Sequence, residues 1–343
     1  MNFTSDNSYG AWPEILAAVA DAGRGAAVSY GGDEITARLE ARFGEIFERD
    51  VVVYPVISGT AANALALATL VPPHGAIICH AESHIAVDEC GAPEFFSHGA
   101  KLVGLAGAGA KIVPEAVEAS LAHFQKGFVH HAQPWAISIT QASERGTVYR
   151  PEEVGALSAL ARRHGLKIHM DGARFANAIA HLKCTPADVT WRAGVDVLSF
   201  GATKGGAIAA EAVVFFNRDD VADFEYRRKK SGHLVSKMRF VSAQLEAYLA
   251  EGRWLRHAAE TNGRAKALAE GLSRIEGAEL AHPVEANEIF LHLPNRIVTR
   301  LREAGARFYD WTPPEAGRTL IRLVVAFATP EEDIARFLSV ARG

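Results

Sequence analysis

Four features of this chain could do chemistry, and each follows a short apolar run. Asp171 ends the run LKIHM within GLKIHMDGARFANA (165–178), and Gly172, Ala173 and Arg174 come next. A carboxylate at the end of a buried strand is costly unless a cation meets it. Lys204 follows VDVLSF (195–200) and sits among Gly201, Ala202, Gly205 and Gly206; of ten lysines it alone has this setting. The bland account is a surface lysine on a glycine loop. The chemical one is a lysine that needs space for a bulky group bonded to it, as a Schiff-base lysine does. Ser58, Gly59 and Thr60 lie between VVVYPVI (51–57) and AANALALATLV. Unpaired N–H groups and the dipole of a helix start bind phosphate there, although Ser or Thr is also an ordinary N-cap. His84 comes a few residues after AIICH (76–80).

The elements that must position these residues alternate. VVVYPVI, AIICH, KLVGL (101–105), WAISITQ (135–141), LKIHM, VDVLSF and AAEAVVFF (209–216) read as strands. Helical patterns run between them, among them 114–124 and 151–165, the latter with Pro151 in its first turn and Gly165 as its stop. Such alternation predicts an α/β fold: a mostly parallel sheet covered by helices on both faces. The four features then share the carboxyl edge of the sheet, where open α/β sheets bind ligands. Beyond about residue 245 the texture changes to a long helix, short strands (AELAH, IFLHL, LIRLVVAF) and a closing helix. This predicts a large domain over 1–247, whose first 20 residues contribute to the site, and a smaller α+β domain over 248–343.

A pyridinium nitrogen would answer the need of Asp171 for a cation. Pyridoxal 5′-phosphate calls for a lysine, an acid at its ring nitrogen and a phosphate cradle. Lys204, Asp171, Gly59 and Thr60 match these needs, His84 could lie flat on the ring, and Arg174 could bind the cofactor O3′ or a substrate carboxylate. Neither GxGxxG nor GxxxxGK[ST] occurs, so nothing supports a dinucleotide fingerprint or a P-loop. The net charge of −4 argues against a nucleic-acid binder. The one dense basic run, Arg227 to Lys230, reads as a solvated helix face or a local anion site. Three cysteines without a CxxC pair argue against a zinc site, and no metal is expected. Such sparse thiols fit a reducing cytoplasm. The first residues lack the pattern of a signal peptide, and no apolar stretch is long enough to span a membrane.

The chain resembles the low-specificity L-threonine aldolases, fold-type I pyridoxal-phosphate enzymes, and in particular the bacterial branch that includes L-phenylserine aldolases. The resemblance is carried by SGTAAN (58–63), SHIAVDECGAPEFFSHGAKL (83–102), HMDGARFANA (169–178), WRAGVDVLSFGATKGG (191–206) and SGHLVSKMRFVSAQ (231–244), with TSDN (4–7) and YGGDEIT (30–36) near the start. It implies an aspartate-aminotransferase-like fold with a seven-stranded sheet, and retro-aldol cleavage of β-hydroxy-α-amino acids to glycine and an aldehyde. It implies that Lys204 bonds the cofactor, Asp171 partners the ring nitrogen, Gly59 and Thr60 bind phosphate, and His84 stacks on the ring and serves as a base. Ser5, Arg174 and Arg322 would clamp the substrate carboxylate, and His130 would reach the β-hydroxyl, with His131 beside it. Tyr30 and Arg239 would reach a neighbouring subunit's site, so a homo-oligomer, a dimer of dimers, is expected. The segment FYDWTPPEAGR (308–318) has no firm counterpart. Transamination, racemisation and β-elimination share the same lysine, acid and cradle. A relative that holds the cofactor without turnover is a further alternative.

Overall fold

A run of apolar residues can sit in the middle of a sheet only if both faces are covered, and here they are. The computed structural model describes residues 1–343 except Ala222, Pro314 and Ala316. β1 (Val52–Val56), β2 (Gly75–His80), β3 (Lys101–Leu105), β4 (Gln133–Thr140), β5 (Lys167–Gly172), β6 (Val197–Gly201) and β7 (Glu211–Phe215) form one sheet in the order β1-β7-β6-β5-β4-β2-β3. Neighbours pair in parallel except at β7, which is antiparallel to both β1 and β6. β5 is thus the middle strand, and its Ile168 and Met170 are buried. The reversal of β7 brings its first residue, Glu211, to the edge where the other strands end.

β5 is less apolar than LKIHM suggests. His169 is wholly buried and bonded to Ser138 Oγ of β4 at 2.8 Å and Ser199 Oγ of β6 at 3.0 Å. Burial pushes its pKa down to about 4, so a neutral imidazole stitches three central strands together. The predicted helix over 151–165 spans Pro151–His164, and Gly165 ends it at φ 72°. Helices Glu34–Phe47 and Arg239–Leu249 pack on β1, and Pro13–Ala22 packs on the latter; the sequence pattern alone does not place these three.

β8 (Glu279–Leu280), β9 (Glu288–Pro294), β10 (Tyr309–Asp310) and β11 (Arg318–Val324) make a second, antiparallel sheet in the order β10-β11-β9-β8. The helix Arg253–Leu272 serves both halves. Its Trp254 and Ala258 pack in the first core, and its Ala265, Leu268 and Leu272 in the second. The change of texture near residue 245 therefore carries no flexible linker. The chain also begins in the second core: Phe3 packs against Phe337 at 5.0 Å, and its backbone bonds Arg307 and Val324.

The glycines beside Lys204 have a different reason from the one the sequence suggested. A Cβ at Gly205 would collide with the Tyr248 phenol, and one at Gly206, at φ 124°, would overlap the Trp12 indole. Trp12 stacks on Tyr248 at 5.1 Å, and its backbone N–H donates to Gly206 O at 3.0 Å. The small residues let two aromatic rings press against the lysine loop from the protein side. Gly206→Ala is expected to cost about 2 kcal/mol of stability, seen as a fall of several degrees in the thermal midpoint. An unchanged midpoint would mean that Trp12 can move aside.

Candidate active site

The carboxyl edge of the large sheet opens into a cavity of about 910 Å³, and Ser58, Gly59, Thr60, His84, Asp171, Arg174 and Lys204 all line it. The common strand polarity gathers them. β1 ends before Ser58, β2 before His84, β5 at Asp171 and β6 before Lys204. Asp171 is only 3% exposed, and its two oxygens accept from the Asn63 amide at 2.8 Å and from the Ala173 N–H at 2.9 Å. Both donors are neutral, and among the described residues no lysine, arginine or histidine forms an ion pair with it. Among the described residues its carboxylate is therefore left without a cationic partner.

The Asn63 amide donates a second time, to Glu89 Oε1 at 2.8 Å, and the same oxygen lies 2.8 Å from His84 Nδ1. The hydrogen bond to Glu89 raises the His84 pKa against the opposing effect of burial, while burial raises that of Glu89. His84, Glu89 and Asp171 offer atoms within 4.8 Å of one another, a spacing that could suit a metal. Here the Asn63 amide bridges the two carboxylates and His84 occupies Glu89. Burial lowers the pKa of Lys204, and the Arg174 cation adds to the effect. This favours a neutral, nucleophilic amine.

Pyridoxal 5′-phosphate fits this donor set. The cradle is open where a phosphate would approach. Ser58 Oγ accepts from Ala61 N–H at 3.3 Å, and a Cβ built on Gly59 would meet nothing within 4 Å. Lys204 would bond the aldehyde, Asp171 would meet the ring nitrogen, and the Gly59 and Thr60 N–H groups at a helix start would hold the phosphate.

The other expected residues are more dispersed. Arg174 has its Nε and Nη2 on Asp6 at 2.9 Å and its Nη1 on Glu288 at 3.1 Å. Burial works against its charge, but Glu288 and Asp6 outweigh it and raise its pKa. Arg322 is not among the residues that line the cavity, and its guanidinium lies 5.3 and 5.2 Å from the rings of Tyr309 and Trp311. Its Nη2 donates to Thr4 O at 3.0 Å, and its buried Nε has no partner among the described residues. These rings belong to the unmatched segment 308–318, of which Pro314 and Ala316 lie outside the described residues. Ser5 caps a short turn, accepting from Asn7 N–H at 3.2 Å. His130 is exposed on a turn, 4.8 Å from the Phe128 ring, and the fold does not bring it to the cavity. Tyr30 and Arg239 also lie outside the cavity lining, with Tyr30 half-exposed under Lys229. The basic run is not a uniform solvated face. Arg228 is 6% exposed, 5.7 Å from the Tyr54 ring, and burial pushes its pKa down to about 10.

A family model described as beta-eliminating lyase matches residues 2–295. The low specificity L-threonine aldolase of Pseudomonas sp. (strain NCIMB 10558) is 47% identical over 310 residues, 90% of this chain and 89% of that protein. The chain belongs to the low-specificity L-threonine aldolase family. The threonine aldolase of Leishmania major superimposes with a TM-score of 0.93 at 29% identity, covering 99% of this chain and 98% of that one. An SPT structure solved with PLP shares the fold alone, with a TM-score of 0.70 at 17% identity over 100% of this chain and 86% of that one. The cavity of this threonine-aldolase-family chain offers the lysine, acid and phosphate cradle that pyridoxal 5′-phosphate needs.

Several residues of this family member escaped the sequence reading: Asn63, Glu89, Glu144, Glu211, Asp6 and Glu288. Asn63 and Glu89 stood inside motifs already quoted. Glu144, on the loop after β4, accepts from the Thr140 hydroxyl at 2.7 Å and the His84 N–H at 2.9 Å, and burial pushes it up to about 7. Glu211 accepts from Ala202 N–H at 2.7 Å, and burial pushes it up to about 7 from an ordinary 4.5. Because the folded protein holds that proton more tightly than the unfolded chain, Glu211 costs nothing at low pH, and its cost grows as pH rises from the unfolded value through the folded one. Glu211→Gln should therefore match the parent's thermal midpoint in acid and exceed it above neutrality. A constant difference across pH would show that Glu211 does not titrate in this range.

Proposed function

We infer that this protein is a pyridoxal-phosphate-dependent aldolase that cleaves L-β-hydroxy-α-amino acids, L-threonine among them, to glycine and an aldehyde. The observation that carries this reading is one cavity in which Lys204, Asp171 and the Ser58–Thr60 helix start converge, in a chain 47% identical to a low specificity L-threonine aldolase. Bound there, the protonated pyridine ring would supply the electron sink for the Cα–Cβ bond pair. The chain's own residues do the rest. Asp171 keeps the ring nitrogen protonated, since a close opposite charge favours the charged form. Lys204 supplies the amine for the cofactor aldehyde. His84 takes the β-hydroxyl proton on Nε2, because its Nδ1 faces Glu89. Arg322, with an unbonded Nε, and Ser5 lie outside the cavity lining, and they take the substrate carboxylate only if the wall beside them opens. Arg174, bound on three nitrogens by Asp6 and Glu288, mainly holds the N-terminal turn against the site. His130 reaches the substrate only if its loop folds inward.

The protein acts as a homo-oligomer in the cytoplasm. The exposed apolar residues Leu16 and Ile208 at the cavity mouth, with Val28 and Tyr30 nearby in sequence order, suit a second copy. Three free cysteines suit a reducing compartment, and no helix among the described residues is long and apolar enough to cross a membrane. An aromatic substrate is cleaved at least as efficiently as threonine. Leu16, Ile57 and Ile208 give the cavity an apolar side that can take a phenyl ring.

Lys204→Ala should fold normally yet lose the visible absorption band of the lysine-bound cofactor and all glycine release. A variant that keeps both would move the role to another lysine. On the parent enzyme, L-phenylserine should be cleaved with a kcat/KM at least equal to that for L-threonine. Threonine remains a substrate, since missing apolar bulk costs only ~1–3 kcal/mol. Brisk threonine cleavage beside negligible phenylserine cleavage would refute the aromatic preference and leave the aldolase intact.

A further inference from the structure

We propose that Glu89 is a positioning residue for His84: the chain Asp171–Asn63–Glu89–His84 fixes the imidazole with its proton on Nδ1 and leaves Nε2 bare toward the substrate. The proposal rests on His84 being the base that takes the β-hydroxyl proton. Its geometry is closed at every step. Asn63 Nδ2 has two hydrogens, and it gives one to Asp171 Oδ2 and one to Glu89 Oε1, each at 2.8 Å. The remaining capacity of Glu89 Oε1 lies 2.8 Å from His84 Nδ1. Glu89 is 4% exposed and its Oε2 has no partner among the described residues, so the carboxylate serves these two donors alone. A carboxylate accepts, so Nδ1 must donate, and a neutral imidazole then has its lone pair on Nε2.

The backbone holds the ring at a second point, since the His84 N–H donates to Glu144 Oε1 at 2.9 Å. The loop of Glu144 is clasped to the loop of His84 by Arg145, which donates to both oxygens of Glu82 at 2.6 and 2.8 Å. The charged groups that act on the ring are Glu89 and Asp171, which favour the imidazolium, and Lys204, which opposes it. In the step itself the β-hydroxyl O–H bond breaks, its proton goes to His84 Nε2, and the oxygen becomes that of the departing aldehyde. No bond to Glu89 is made or broken. Its carboxylate stabilises the imidazolium as it forms, as a buried acid does behind other catalytic histidines. Through Asn63, the acid that serves the cofactor ring and the acid that serves the base are held by one amide.

The test compares Glu89→Gln, which keeps an acceptor for both donors but removes the charge, with Glu89→Asp, which keeps the charge but withdraws the oxygen. Both are made as holoenzyme, with cofactor content and the visible band as controls for folding. Nitrogen NMR of histidine-labelled parent enzyme should show His84 protonated at Nδ1. In Glu89→Gln the acidic limb of the kcat profile should move to lower pH by roughly one unit, and kcat should fall about ten- to a hundredfold with KM little changed. Glu89→Asp should lose kcat similarly and show a mixture of the two ring tautomers. An Nε2–H tautomer in the parent, or an acidic limb that stays in place in Glu89→Gln, would overturn the proposal. His84→Asn is the separate check on the base. If it keeps its kcat, the base assignment itself is wrong, and the proposal falls with it. If it loses kcat while Glu89→Gln behaves as the parent, the base stands and only the role of Glu89 is refuted.

Discussion

A single anion in the middle of the sheet constrains most of what surrounds it. Asp171 is buried at the end of the central strand, where an unpaired charge would cost several kcal/mol. The protein does not neutralise it with a lysine or arginine. It gives it two neutral hydrogen-bond donors and surrounds it with groups whose own charges are adjusted by burial. His169, behind it on the same strand, is kept neutral. Glu144 and Glu211 hold their protons to higher pH than ordinary carboxylates, and Lys204 gives up its proton more readily than an ordinary lysine. The cavity can therefore contain many titratable groups without many net charges, while Asp171 keeps only neutral donors among the described residues.

The parallel strands supply the convergence. Six strands point the same way, so six carboxyl ends open on one edge, and the reversed seventh brings its first residue there as well. This is why residues from 58 to 211 share one cavity although they are far apart in the chain. The second half contributes less directly. Its Glu288 and Asn287 hold Asp6 and Arg174 in place, which ties the start of the chain to the edge of the large sheet.

The strands and their common edge were legible because buried parallel strands are continuous apolar runs bounded by glycines and polar turns. Lys204 and Asp171 were legible because a charge directly after such a run has few structural explanations. Asn63 and Glu89 were not, since an amide within a helix and an acid after a short turn look like surface residues until the fold closes over them. The glycines after Lys204 suggest open space around the lysine, but the space they leave is filled by Trp12 and Tyr248. His130 came from resemblance alone and stands on an exposed turn away from the cavity, while Tyr30 and Arg239, expected to serve a neighbouring subunit's site, lie outside this chain's own cavity lining.

The helix Arg253–Leu272 has a mechanical meaning beyond its packing. It runs without interruption from one core into the other, and Phe3 ties the two halves together a second time. A rotation of one half against the other would have to bend that rod or pull a buried aromatic ring out of its seat. Large hinge motions of the kind that close many two-lobed enzymes are thereby made stiff. The cavity rim is built differently, from side chains such as Leu16, Ile57 and Ile208 that are partly exposed on the single chain. The catalytic frame is braced at two places, and its mouth is not.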